Sequence, residues 1–153
     1  MVLAEVDKMD AVGIFRTTVA IEHPARRGSF AELRDVMVDT GSEYTWMPRA
    51  LLESLGLQPE RVVRFVTADG RHIEREVCFA NVYAGGASAP DIVVFAAPQD
   101  MVLLGAHSLE GLNLRVDVIE KRLVPAGPVP VAYAPLVRRA VSPPLMTSSA
   151  RRA

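Results

Sequence analysis

The chain has 153 residues, half of them apolar, which suits one globular domain with a core of ordinary size. A formal net charge of -1, with no basic run interleaved with aromatics, gives no sign of nucleic-acid binding. The single cysteine, Cys78, excludes an internal disulfide and argues against a cysteine-built metal site, and no stretch reaches the roughly 18 apolar residues of a membrane span.

The first ten residues, MVLAEVDKMD, carry Glu5, Asp7 and Lys8 where a signal peptide needs an uninterrupted apolar core, so a cytoplasmic location is expected. Residues 13–22 place Phe15, Thr17, Val19 and Ile21 at period two, the pattern of a half-buried strand. Pro24 and Gly28 break it, and 30–38 resumes as a strand whose most buried end is Val36, Met37 and Val38. Pro48 opens a short helix with Leu51, Leu52 and Leu55 on one face and Gly56 as its stop. Residues 61–86 read as two strands around Ala68, Asp69 and Gly70, because Asp-Gly supplies the positive φ angles of a tight hairpin turn. Such a hairpin is long and projects.

Short apolar strands follow at 91–98 and 101–105, then about two helical turns over 106–114 and a hairpin-like pair around Glu120 and Lys121. The count is about seven strands and two short helices, a mostly β domain. From Pro125 onward six of the eleven prolines fall within 29 residues, a composition that cannot pack a core on its own. Residues 1–124 are therefore read as the domain and 125–153 as a flexible or extended tail. All eighteen Asp and Glu lie at or before Glu120, whereas six of the seventeen Lys and Arg follow it, so residues 1–120 carry -7 and residues 121–153 carry +6. The tail reads as a loose appendage, as an arm toward a partner subunit, or as a segment that the protein itself removes.

Three apolar residues, Val36 to Val38, run into Asp39, Thr40, Gly41 and Ser42. All four types are common turn formers. The context says more: the strand delivers a carboxylate to the edge of a core, and a glycine two positions later lets another group approach closely. A second apolar strand, ending in Leu103, Leu104 and Gly105, also feeds a short helix.

In this order, an apolar pair before Asp-Thr-Gly-Ser, the helix after Pro48, an Asp-Gly hairpin, then two apolar residues and a glycine before a helix, the chain resembles the retropepsin-like aspartic proteases of clan AA, most of all their single-domain prokaryotic type. The resemblance covers about residues 12–124. It implies an all-β acid-protease fold, a closed barrel-like domain with a flap hairpin and one or two short helices. It implies Asp39 as the catalytic carboxylate, Gly41 in the tight turn, Thr40 bonding across a partner's equivalent loop and Ser42 bonding the outer face of the carboxylate. Leu103, Leu104 and Gly105 would buttress that loop, and Ala68, Asp69 and Gly70 would form the flap tip over a bound polypeptide. Flap tips of retroviral relatives are glycine-rich, whereas this one has a single glycine and several charges.

Such an enzyme needs two carboxylates sharing one proton. With one Asp-Thr-Gly in the chain, the site calls for a homodimer with Asp39 from each copy at the two-fold axis, and no metal or organic cofactor. The alternative is a non-catalytic peptide-binding or scaffold dimer of the same fold. His23, His72 and His107 lack ligand-spaced partners, Cys78 reads as a small buried side chain, Gly85 and Gly86 as a turn, and GAHSLEG lacks a serine-nucleophile pattern. Nothing in the sequence sets Asp100 or Asp117 beside Asp39. Trp46 and Met47 are expected to fill the core under the helix, with lining of a substrate pocket as the other reading.

Overall fold

The computed structural model describes residues 7–9 and 13–134. Among them run ten strands and two short helices. In order they are β1 (Lys8–Met9), β2 (Phe15–Glu22), β3 (Phe30–Asp39), β4 (Thr45–Pro48), α1 (Arg49–Ser54), β5 (Arg61–Val66), β6 (His72–Ala84), β7 (Ala87–Ala96), β8 (Leu103–Gly105), α2 (Ala106–Leu112), β9 (Leu114–Asp117) and β10 (Arg122–Pro125). The mostly β reading holds, and the expected count of strands was too low because β1 and β4 are too short to show a period.

The sheet order β2-β3-β8-β4-β7-β6 closes on itself through a further pairing of β6 with β2, a barrel of six strands. Closure removes the free edges that an open sheet of this size would leave. Strand β6 has thirteen residues and two duties. Its first part, His72–Glu76, pairs with β5 alone and is largely polar, so this hairpin stands off the barrel. Its second half, Val77–Ala84, pairs with β7, and Asn81–Tyr83 pair with β2.

The turns differ from expectation in an instructive way. At the projecting tip only Gly70 has positive φ, +83°, and the Gly70 N–H donates to the Thr67 carbonyl (2.8 Å). That is an ordinary turn followed by one left-handed glycine, rather than a two-residue tight turn. The tight turn is at Gly85 and Gly86, both with positive φ, which links β6 to a β7 beginning at Ala87 rather than at residue 91. Pro48 precedes α1 as expected, and Gly56 (φ +76°) ends it with its N–H on the Glu53 carbonyl.

Val19, Ile21, Met47, Leu52, Val82, Val93, Phe95 and Leu104 are the centre of the core. Each contributes roughly 1.5–3 kcal/mol on burial. Glu22 is also buried, and its carboxylate accepts from Gly28 N–H (2.7 Å), Asn81 Nδ2 (2.8 Å) and the Tyr83 hydroxyl (3.1 Å), with Arg27 alongside. Burial alone pushes this carboxyl up, but the donors together hold it below the usual range. The network clips the 23–29 loop to β6. Beyond β10, Ala126 N–H still bonds the Asn113 carbonyl (2.8 Å), and the remaining tail residues, 135–153, lie outside the described residues.

Candidate active site

Asp39 is the last residue of β3 and is half-buried, while Thr40 and Gly41 after it are exposed. Strand β8 runs parallel to β3 with Met37 beside Leu103, Val38 beside Leu104 and Asp39 beside Gly105. Leu103 and Leu104 are buried, so an apolar floor ends at the same level as the carboxylate. The Gly41 N–H donates to Asp39 Oδ1 (2.9 Å), and the Ser42 N–H to the Asp39 carbonyl (3.2 Å). Gly41 does not have positive φ; what it supplies is room, since a Cβ there would lie 3.1 Å from Asp39 Oδ1. The Ser42 hydroxyl donates to the Tyr44 carbonyl (3.1 Å), an acceptor other than the carboxylate face that the resemblance implies.

Gly105 is the tightest approach in this region. A Cβ on it would meet the Tyr44 carbonyl oxygen at 2.3 Å and the Ser42 carbonyl oxygen at 2.9 Å. The N–H groups of Ala106 and His107, at the start of α2, donate to the Ser42 and Glu43 carbonyls (2.8 and 2.9 Å). The loop after Asp39 is thus bonded through its carbonyls to the segment after β8, while the Gly41 N–H turns toward the carboxylate.

Asp39 opens onto a cleft of about 630 Å³ beneath the projecting hairpin. Phe65, Val66, Thr67, Ala68 and Arg71 of the hairpin form its roof, and Tyr44, Trp46 and Leu103 line it below. Of the three expected tip residues, Ala68 lines the cleft, while Asp69 and Gly70 make the turn itself. The Asp69 carboxylate is taken by the Thr67 hydroxyl and by Arg71 Nε (2.8 Å), which hold it below its ordinary range. The tip is therefore internally bonded rather than glycine-loose.

Two features depart from the favoured sequence reading. Trp46 is not core: it faces the cleft and packs on Phe65 (ring centroids 4.9 Å), whereas its neighbour Met47 is fully buried. The alternation along β4 accounts for both, because successive side chains point to opposite faces. Asp100 lines the same cleft as Asp39, bound to Arg75 by two bonds (Nε–Oδ2 2.6 Å, Nη2–Oδ1 2.9 Å) and by the Ala97 N–H. The Arg75 guanidinium holds the Asp100 carboxyl below the usual range, so this second carboxylate is committed to its cation. Cys78 is buried, and burial pushes its thiol up to about 12, which removes it as a nucleophile.

A closed six-stranded barrel, an Asp-Thr-Gly-Ser loop flanked by a parallel apolar-apolar-glycine strand, and a hairpin over the carboxylate define a retropepsin-like acid-protease domain. The family model described as Aspartyl protease matches residues 31–107, just over half of the chain, from within β3 through the start of α2. The chain belongs to that family. Among solved structures, the solution structure of simian foamy virus (mac) protease is similar over 61% of this chain and 91% of that one, at 22% identity and a TM-score of 0.41. No curated protein matches the chain.

Proposed function

We propose that the protein is an aspartic endopeptidase, active as a homodimer, in which the two Asp39 carboxylates share a proton and activate water against a peptide bond. One carboxylate acts as general base on the water, and the other, protonated, as general acid toward the scissile carbonyl. The observation that carries this reading is Asp39 lining the cleft from the chain's one Asp-Thr-Gly loop, with Asp100 of the same cleft already paired with Arg75. A lone carboxylate cannot perform both roles in one step, so the second is supplied by another copy.

In the dimer, Thr40 bonds across to the partner's loop and the Leu103–Gly105 strand keeps Asp39 in place. A polypeptide lies extended beneath the hairpin, where main-chain bonding and exclusion of water strengthen the carboxylate interactions. The catalytic unit is residues 1–124, with 125–153 a tail outside it, and a cytoplasmic setting follows the sequence reading. The test compares wild type with Asp39→Asn on an unstructured protein from acidic to neutral pH. The expected result is fragmentation by wild type, lowered on the order of 10²–10⁴-fold in the variant. Equal fragmentation by both would remove Asp39 from the mechanism, and none by either, in a demonstrated dimer, would favour the scaffold alternative.

A further inference from the structure

Behind the Asp39 loop, on the side away from the cleft, lies a buried polar chain that substrate contact does not explain. The Gly105 N–H donates to Thr45 Oγ1 (3.0 Å), Thr45 Oγ1 meets Ser108 Oγ (2.5 Å), and the Ser108 hydroxyl donates to Asp91 Oδ2 (2.5 Å). Thr45 and Ser108 are essentially inaccessible, and the Asp91 side chain is 3% exposed. Its other oxygen accepts from the Ile92 N–H (2.7 Å) and meets His107 Nδ1 (2.6 Å).

A hydroxyl has one proton to give, so these contacts have only one consistent direction. Ser108 gives its proton to the carboxylate, and its oxygen must then accept from Thr45. Thr45 in turn accepts from Gly105. Every donor points toward Asp91, and chained bonds of this kind polarise and fix one another. The far end of the chain is Gly105, which sits in register with Asp39 and against the Ser42 and Tyr44 carbonyls. Burying a carboxylate is costly unless its bonding is complete, and here the bonding ends on the backbone that seats Asp39.

We infer that Asp91, Ser108 and Thr45 are positioning residues that lock the Asp39 loop through the Gly105 amide. His107 and Ser108 are both bound to Asp91 and not to each other, so the trio is not a serine-nucleophile site. The locking has a catalytic consequence only because the proposed function makes Asp39 the catalytic carboxylate, so the test includes one readout that requires no activity.

Thr45→Val keeps the side-chain shape and removes the hydroxyl, whereas Thr45→Ser keeps the hydroxyl and removes a methyl. On the full chain, kcat and KM for an unstructured protein are measured together with amide hydrogen exchange. In Thr45→Val, kcat falls on the order of 10²-fold with KM within about twofold, and Thr45→Ser stays within about threefold of wild type. Amides 41–45 and 105–107 exchange faster in Thr45→Val while the β5–β6 hairpin keeps its protection. Wild-type kcat and unchanged exchange at 105–107 would overturn the inference. So would equal losses in both variants with exchange rising over the whole barrel. If wild type shows no peptidase activity, the endopeptidase reading fails by itself, and faster exchange at 105–107 in Thr45→Val still supports the anchoring while unchanged exchange overturns it.

Discussion

Replacing Gly105 by alanine isolates the close approach of the two loops. Gly105 has φ -91° and ψ 174°, extended backbone that any residue adopts, so torsion raises no objection to alanine. Space does. The new Cβ would lie 2.3 Å from the Tyr44 carbonyl oxygen and 2.5 Å from its carbon, where ordinary contact begins at 3.4 Å, and both are backbone atoms. Relief requires moving the 42–44 segment by about 1 Å, which strains the Ala106 and His107 bonds to the Ser42 and Glu43 carbonyls. Overpacking of this kind costs typically 1–3 kcal/mol, and two weakened hydrogen bonds at about 1 kcal/mol each place the loss near the upper end, about 3 kcal/mol. That corresponds to a fall in Tm of roughly 10 °C. Cleavage of an unstructured protein falls on the order of 10²-fold, because the shift is carried directly to Asp39. Gly111→Ala is the matched control, with ordinary contact to Ala89 Cβ at 3.5 Å inside α2, and it stabilises by about 0.5–1 kcal/mol. Thermal melts and cleavage rates of the two variants decide. A Gly105→Ala protein with wild-type Tm and rate, or a Gly111→Ala protein equally damaged, would refute the reasoning.

Asp100→Asn breaks the pair that ties β6 to the loop before β8. With both side chains largely buried, 18% and 10% exposed, the loss at neutral pH is about 3 kcal/mol. The Asp100 carboxyl is held below its usual range by Arg75, so its contribution is complete above an ordinary aspartate value of about 3.9 and is lost as pH falls through the lower folded value. Denaturant melts of the two proteins therefore differ at pH 7 and converge in strong acid; a constant gap at all pH values would contradict the assignment. Glu22→Gln removes the charge that Arg27 faces and upsets the donors from Gly28, Asn81 and Tyr83, and it lowers stability by about 1–3 kcal/mol without changing KM. Melts and steady-state kinetics check it, and an altered KM with unchanged stability would speak against the structural role.

The parts of the fold that were legible in the sequence are those with strong local chemistry. The strand over Phe15 to Ile21, although it is buried on both faces rather than half-buried as its alternation implied, the Pro48 and Gly56 bounds of α1 and the Asp-Thr-Gly-Ser loop after three apolar residues each depend on neighbours in the chain. The barrel closure was legible only through the family resemblance and not from any local pattern, because the pairing of Ala20–Glu22 with Asn81–Tyr83 joins residues about sixty apart. Four residues of β4 are too few to declare a period, so Trp46 and Met47 looked alike although they face opposite ways. The Arg75–Asp100 pair and the Asp91 chain arise only when β6, β7 and α2 are packed together, and a lone carboxylate before Ile92 gives no local sign of a hydroxyl partner on the helix. The positive-φ turn was assigned to Asp69–Gly70 by its dipeptide, when two glycines at 85–86 were free to adopt it without any side-chain penalty.

The most direct test of the central claim is subunit mixing. Wild type is allowed to exchange subunits with increasing amounts of Asp39→Asn, and the cleavage of an unstructured protein is followed at constant wild-type concentration. If each active site takes one Asp39 from each of two chains, mixed dimers are inactive, so an equal amount of variant halves the activity and a ninefold excess leaves about one tenth. Activity that stays constant at every ratio, with exchange verified by sedimentation of tagged chains, would mean that a single chain carries the whole site and would contradict the account.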